Sequence, residues 1–98
     1  MEVAFHDANL DRMEIDAGFD GGYSPALVRA FRMRMQAIRG AIDERAFYAL
    51  KSLHFEKLKG DRKHQHSMRL NKQWRLILEL RRQGQQKGVW VMGIEDYH

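Results

Sequence analysis

The feature of this sequence that most constrains its fold is an alternating segment from Trp74 to Arg81. Successive side chains of a β-strand point to opposite faces of a sheet, so this segment places a tryptophan and three leucines on one face and mainly charged residues on the other. A strand of this kind packs its apolar face on a core. Residues 89–94 are apolar on both faces and therefore predict a strand in the interior of the sheet.

Polar turns join these two strands to each other and to a third. Residues 67–71 alternate between two faces, and a tight connection over residues 71–73 leads from them to the alternating segment. Residues 83–88 form a second polar turn with glycine at both sides. The pattern predicts an antiparallel meander of three strands, and residues 2–6 predict a short first strand.

The N-terminal half has the periodicity of helices. Ser24 is a good N-cap, and Pro25 fits the first turn of a helix. The apolar residues that follow at spacings of four and three form one stripe for a core, and they are Leu27, Phe31, Met35, Ile38 and Ile42. Gly40 is expected either to stop this helix or to kink it. Shorter helices are predicted over residues 8–17 and from Asp43 to about Leu53.

Three arginines, Arg29, Arg32 and Arg39, lie on another side of the long helix. We interpret them as a solvated face, with contact to a partner as the alternative. Helices in the N-terminal half and strands in the C-terminal half predict an α+β protein. We expect one domain over residues 1–98, with a small antiparallel β-sheet packed on one side by two or three N-terminal helices.

Composition excludes several classes of protein. The chain has no cysteine, so it forms no disulfide and no zinc site on thiolates, which suits a reducing cytoplasm. It has no apolar run of about 18 residues and no signal-peptide pattern at its start, so we expect no membrane contact. Lys and Arg outnumber Asp and Glu by 17 to 13, and they follow an acidic stretch that ends at Asp20. The basic body favours an anionic partner such as nucleic acid, unless it is only a solvated surface.

The last three residues bring together groups that can move protons. Asp96, Tyr97 and His98 supply a carboxylate, a phenol and an imidazole directly after an apolar strand. The alternative is a polar, solvated chain end. A second concentration of charged residues lies in the irregular segment from His54 to about Gln65, and loops of this kind often carry sites because a rigid scaffold presents them.

Several short motifs in the C-terminal half form an ordered set. They are Leu53-His54, Leu58-Lys59-Gly60-Asp61, His66-Ser67-Met68-Arg69-Leu70-Asn71, Gln73-Trp74-Arg75-Leu76 and Asp96-Tyr97-His98. In combination they resemble the HigB-type toxins, the plasmid-maintenance killer proteins of bacterial toxin–antitoxin pairs in the RelE/ParE superfamily. The resemblance covers residues 53–98 well, and the helical half matches only in layout.

The resemblance implies a RelE-like fold and a ribosome-dependent endoribonuclease that cleaves mRNA in the A site of the 30S subunit. It implies no metal and no cofactor. A helix-turn-helix antitoxin of the HigA type would silence the toxin, and operator DNA would be bound only through that antitoxin. Two alternatives stay open: a gyrase poison of the same fold, which does not cut RNA, and a basic module that only binds nucleic acid.

The resemblance also implies a set of site residues. The implied catalytic residues are His54, Arg75, Asp96, Tyr97 and His98. The implied phosphate-binding lysine is Lys57 or Lys59, and we expect Arg62 and Arg69 to bind phosphate as well. The family's compact His-Pro-Leu-Lys-Gly arrangement is longer here, so the choice between Lys57 and Lys59 stays open. Arg75 could instead be a cross-strand ion-pair partner, and His54 could instead complement a helix dipole.

Overall fold

Residues 1–96 of the computed structural model are described here, and they form a five-stranded sheet with helices on one side. The helices are α1 (Ala8–Ile15), α2 (Pro25–Gly40) and α3 (Arg45–Ala49), and the strands are β1 (Glu2–Phe5), β2 (Glu56–Lys57), β3 (His66–Arg69), β4 (Trp74–Gln83) and β5 (Gln86–Asp96). Two short 3₁₀ turns lie at Lys51–Leu53 and Gly60–Arg62. The predicted α+β class is confirmed.

The strand order across the sheet is β1-β5-β4-β3-β2. The antiparallel meander of β3, β4 and β5 forms as predicted. The sheet is mixed, however, because β1 pairs in parallel with β5. All of the helices lie between β1 and the meander in the chain, and a crossover connection of that length returns the chain in the direction that parallel pairing requires.

The two faces of β4 have different surroundings. Leu76 and Leu78 are fully buried against the helices. The other face, which we call the open face, is carried on β4 by Arg75, Ile77, Glu79 and Arg81. Directly opposite residues of paired strands share a face, so the register assigns the neighbours of these four residues to the open face as well.

A β-bulge in β5 decides which residues share that face. Ile77 pairs with Gly93 but Leu78 pairs with Val91, so Met92 is the extra residue between them. The bulge reverses the alternation. As a result Val91, which is buried, and Ile94 both face the core. In a regular strand these two residues, three positions apart, would point to opposite faces.

Helix α2 supplies most of the helical side of the core. The Ser24 hydroxyl accepts a hydrogen bond from the Leu27 N–H at 3.2 Å, which confirms the predicted N-cap. The first four residues of the predicted stripe are buried, but Ile42 is 91% exposed and its prediction is wrong. The helix ends at Gly40 and Ala41 is extended, so Ile42 no longer follows the helical period. The helix predicted from Asp43 to Leu53 is divided into α3 and a 3₁₀ turn.

Two arginines of α2 bind the acidic N-terminal segment. Arg39 pairs with both carboxylate oxygens of Glu14 at 2.7 Å. Arg32 donates to the backbone carbonyls of Met13, Asp16 and Phe19 at 2.9–3.3 Å, and these carbonyls lie at the end of α1 and just after it. The interpretation of a solvated face is therefore wrong for these two residues, and it holds for the exposed Arg29.

His66 of β3 lies on the helical side of the sheet. Its ring stacks on Phe55 at a centroid distance of 4.9 Å and an interplanar angle of 7°. Within residues 1–96 its Nδ1 atom is buried without a hydrogen-bond partner. Burial lowers the pKa of His66 below its ordinary value of 6.5, and the positive charge of Lys57 lowers it further.

No helix within residues 1–96 is long and apolar enough to span a membrane.

Replacing Arg32 by Met should lower the free energy of unfolding by about 1–3 kcal/mol, because hydrogen bonds from a charged donor to three carbonyls are lost. Urea denaturation followed by tryptophan fluorescence measures this change. Arg29→Met, an identical change at an exposed position of the same helix, should stay within about 0.5 kcal/mol of wild type. Equal losses for the two variants would contradict the structural role of Arg32.

The lowered pKa of His66 predicts a pH dependence of stability. The unfolded chain takes up a proton at a higher pH than the folded chain, so the contribution of neutral His66 is complete above pH 6.5 and is lost as the pH falls through the lower folded pKa. In His66→Gln, the free energy of unfolding should fall less between about pH 7.5 and about pH 5 than in wild type. His6→Gln, at an exposed position, serves as the control and should leave the wild-type slope unchanged.

Candidate functional site

Arg75 is the centre of the open face. Only 9% of this residue is exposed. Its Nη1 donates to the carbonyl oxygen of His54 at 3.1 Å and to the hydroxyl oxygen of Ser67 at 3.0 Å. The same nitrogen lies 3.4 Å from the Glu56 carboxylate. The predicted alternative, a cross-strand ion pair, is therefore present, with its partner on β2. A buried guanidinium needs such partners to offset the loss of hydration, and they also fix its position.

His54 contacts this arginine through its backbone and a second arginine through its ring. It ends the 3₁₀ turn Lys51–Leu53 in a left-handed conformation, with φ 47° and ψ 47°. This conformation is uncommon for a residue with a side chain and is found often at functional positions. The Nε2 atom of its imidazole lies 3.3 Å from Nη1 of Arg69. Both the carbonyl and the ring of His54 are thus held among cationic groups.

Arg69 pairs directly with Arg75 across β3 and β4, so the two arginines share the open face. We call His54, Glu56, Arg69 and Arg75 the arginine cluster. Like charges directly opposite each other repel, and within the described residues the carboxylate of Glu56 offsets that repulsion at Arg75. An anion with several oxygen atoms, such as a phosphate, is well suited to a cluster with two guanidinium groups.

The segment 58–65 between β2 and β3 folds over the open face beside the cluster. Arg62 forms a forked ion pair with the two carboxylate oxygens of Glu95 at 2.8 and 2.6 Å, which raises the pKa of Arg62. Glu95 lies directly opposite Arg75 on β5. Gln65 accepts from Arg62 Nε at 3.0 Å and donates to Glu79 at 3.1 Å. Hydrogen bonds from Arg81 and Gln65, in that order, hold the pKa of Glu79 below its usual range.

These polar contacts explain how one apolar residue is buried on a face that has no helix. Ile77 points to the open face and is only 3% exposed. Arg62 and Gln65 reach across β3 and β4 to carboxylates on either side of it. Segment 58–65 is therefore part of the wall of the candidate site.

The two candidate lysines occupy different positions. Lys57 pairs with His66, which in turn pairs with Leu78, so the register directs Lys57 to the helical side of the sheet, opposite to Arg75. Lys59 is exposed and precedes the 3₁₀ turn of the segment that carries Arg62 over the open face. This placement favours Lys59 as the lysine of the site.

The chain end is described only through Asp96. Asp96 pairs with Trp74, so by alternation it belongs to the helical side of the sheet, and its carboxylate accepts from Gln73 Nε2 at 3.1 Å. Tyr97 and His98, which the sequence analysis placed in the site, lie outside the described residues. Their roles stay predictions.

Three polar residues of this region were not predicted from the sequence: Glu56, Ser67 and Glu95. Each contacts an arginine that was predicted, Arg75 or Arg62. Ser67 carried a usable signal, because it lies two positions before Arg69 in an alternating strand and must share its face. Within residues 1–96, no group of three or more His, Asp or Glu side chains is placed so that it could hold a metal ion.

Comparison with known proteins agrees with this architecture. A search of curated proteins finds no match. Among solved structures, the YoeB/ParE toxin from Agrobacterium tumefaciens is similar in fold, with a TM-score of 0.61, 17% sequence identity and 100% coverage of both chains. A family profile, described as the RelE-like toxin of the type II toxin–antitoxin system HigB, matches residues 3–98. The chain therefore belongs to the HigB-like family of RelE-like type II toxins.

Proposed function

We propose that this toxin is an mRNA endoribonuclease that acts on messages in the A site of the 30S ribosomal subunit. The observation that carries the proposal is the arginine cluster, in which His54, Arg69 and Arg75 converge on the open face. Two fixed guanidinium groups beside an imidazole can bind a phosphate and supply a proton-transfer group next to it. A module that only binds nucleic acid needs surface charge but not a buried guanidinium held in place by His54, Ser67 and Glu56.

The proposed reaction uses the RNA itself as the nucleophile. The 2′-hydroxyl attacks the adjacent phosphate, its proton passes to a base, and the leaving 5′ oxygen receives a proton from an acid. This route needs no metal and no cofactor. Each proton-transfer role contributes roughly 10²–10⁴-fold to the rate. We assign these roles to His54 and His98, in an order that stays open, because imidazole titrates near neutral pH.

Arg75 would bind the reacting phosphate. Its guanidinium is already oriented by Ser67 and by the carbonyl oxygen of His54, so little rearrangement is needed as negative charge develops on the phosphate. The phosphate would compete with the Glu56 carboxylate for the guanidinium. Arg69 would contact the phosphate from β3. Lys59, with Lys57 as the less favoured choice, would assist from segment 58–65.

The remaining residues have supporting roles in the proposal. Asp96 would orient His98; the alternative role of base is less favoured, because the register assigns Asp96 to the helical side of the sheet. Tyr97 would stack on a base of the message. Arg62 would contact a phosphate after separating from Glu95, its present partner. A type II toxin has an antitoxin partner, and we propose that it is a helix-turn-helix protein of the HigA type. That protein alone would contact operator DNA. The ribosomal substrate places the toxin in the cytoplasm.

Arg75→Ala should reduce mRNA cleavage by at least about 10²-fold, because it removes a fixed cation from the phosphate site. The assay is induction in cells followed by mapping of mRNA ends, with in-frame cuts in translated messages as the readout. Arg75→Lys keeps the charge but loses the planar fork, and it should also be strongly impaired. Circular dichroism checks that both variants are folded.

Arg12→Ala is the matched control for this experiment. Arg12 also pairs with a carboxylate, but it is exposed and lies on α1, away from the sheet. The Arg12→Ala variant should cleave mRNA like wild type. If wild-type protein produces gyrase-linked DNA breaks and no mRNA ends, the proposed activity is wrong and the gyrase-poison alternative is correct.

Extra residues fused after His98 should reduce growth arrest, because they would crowd the phosphate with which His98 is proposed to exchange a proton. His98→Ala should abolish cleavage while leaving the thermal unfolding temperature close to that of wild type. The same extension fused before Met1 controls for added length. Full toxicity of the C-terminal fusion would remove the chain end from the mechanism.

A further inference from the structure

A second feature of the open face lies at the other end of β4, beyond the residues that the proposed reaction uses. It is an open depression of about 590 Å³ between β1, β5 and the β4–β5 hairpin. Its lining includes Arg81, Arg82, Lys87 and Trp90, with Glu2 and Ala4 at the β1 edge. The site is therefore rich in donors, and it has an aromatic ring in its floor.

Arg81 and Trp90 form a stacked pair in this depression. The guanidinium carbon of Arg81 lies 3.9 Å from the centroid of the Trp90 ring. Its nitrogens Nε and Nη2 both donate to Oε1 of Glu79, at 3.1 and 2.7 Å, which holds the plane of the guanidinium in place. The Arg81 side chain is still 45% exposed. The pair thus presents a flat, preorganised surface to solvent, of the kind on which nucleobases stack.

The other cations at this end of β4 lie on its opposite face. Arg82 is directly opposite Lys87 and two positions after Leu80, so the register assigns both to the helical side, where Lys87 is engaged with Glu44 at 3.2 Å. The positive charge of the stacking surface therefore comes from Arg81 itself, whose guanidinium plane can stack on a base.

The Arg81–Trp90 pair and the arginine cluster lie on the same face of the sheet. Arg75 and Arg81 are six positions apart on β4, which corresponds to roughly 20 Å. Segment 58–65 covers Ile77 between them through the contacts of Arg62 and Gln65. A single strand of RNA that contacts both sites therefore passes around this segment.

We propose that the Arg81–Trp90 pair is a second binding site for single-stranded RNA, in which a base stacks on the exposed plane of the pair. The proposal rests on the proposed function for the identity of its ligand. It adds a contact remote from the cleaved bond, which strengthens RNA binding without taking part in proton transfer.

The test is the affinity of the purified full chain for a fluorescein-labelled RNA of about 12 nucleotides, a length within the site sizes of small single-strand-binding domains. Fluorescence anisotropy at fixed salt gives the dissociation constant. Trp90→Ala should weaken binding roughly fivefold or more, the usual effect of losing one base–aromatic stack. Trp90→Phe should restore most of the affinity. Arg81→Lys, which keeps the charge but loses the flat guanidinium, should weaken binding with the fold intact.

The helical side of the molecule offers a matched control. Arg12 lies over the Phe19 ring at 4.2 Å and pairs with Asp16, so it repeats the chemistry of Arg81, Trp90 and Glu79 at another place. Phe19→Ala and Arg12→Lys should leave RNA affinity unchanged. Equal affinity of folded Trp90→Ala and wild-type protein overturns the proposal. The proposal is also overturned if Trp90→Ala loses affinity for an acidic peptide but not for the RNA, because the depression would then be a protein-binding surface.

This measurement is separate from cleavage. Binding that depends on Trp90, in a protein that cuts no message on ribosomes, would retain this site and refute the proposed nuclease. If the wild type cleaves mRNA and Trp90→Ala binds RNA with wild-type affinity, the proposed nuclease is retained and the second binding site is refuted. In the ribosomal assay, Trp90→Ala should raise KM and leave kcat close to the wild-type value.

Discussion

The pairing of β4 with β5, including the bulge at Met92, is the constraint on which the rest of the molecule depends. The bulge lets Val89 and Val91 on one side of it and Ile94 on the other all face the core. It also sets the composition of the open face, where Glu95 and not Ile94 lies opposite Arg75. Because side chains alternate with a period of two, one additional residue moves every position beyond it to the other face.

The open face is held together by charge pairs in place of a hydrophobic layer. Three carboxylates contact three arginines on it: Glu56 with Arg75, Glu95 with Arg62, and Glu79 with Arg81. Partly exposed pairs of this kind contribute little to stability, since water and salt screen them. Their value lies in orientation, because each carboxylate keeps a guanidinium in a defined plane. A phosphate can replace a carboxylate at such a position without leaving the guanidinium unpaired.

The acidic first 20 residues have a structural explanation in the fold. Glu14 pairs with Arg39, and Arg32 binds carbonyls at the end of α1 and after it, so α1 is fastened to α2 by charge as well as by the buried Leu10 and Met13. The charge asymmetry of the chain therefore helps to join the helices to each other.

Local sequence determined the elements of this protein. Alternation from Trp74 to Arg81, the stripe along α2 and its Ser24 cap are periodic or capping signals within one segment, and they predicted β4, α2 and the α+β class correctly. The C-terminal motifs were specific enough to indicate the toxin family. Tertiary structure alone decided the parallel placement of β1, the bulge at Met92 and the contacts of Arg62 with Glu95 and of Arg75 with Glu56. These depend on which distant strands pair and in which register, and no periodicity within a single segment contains that information.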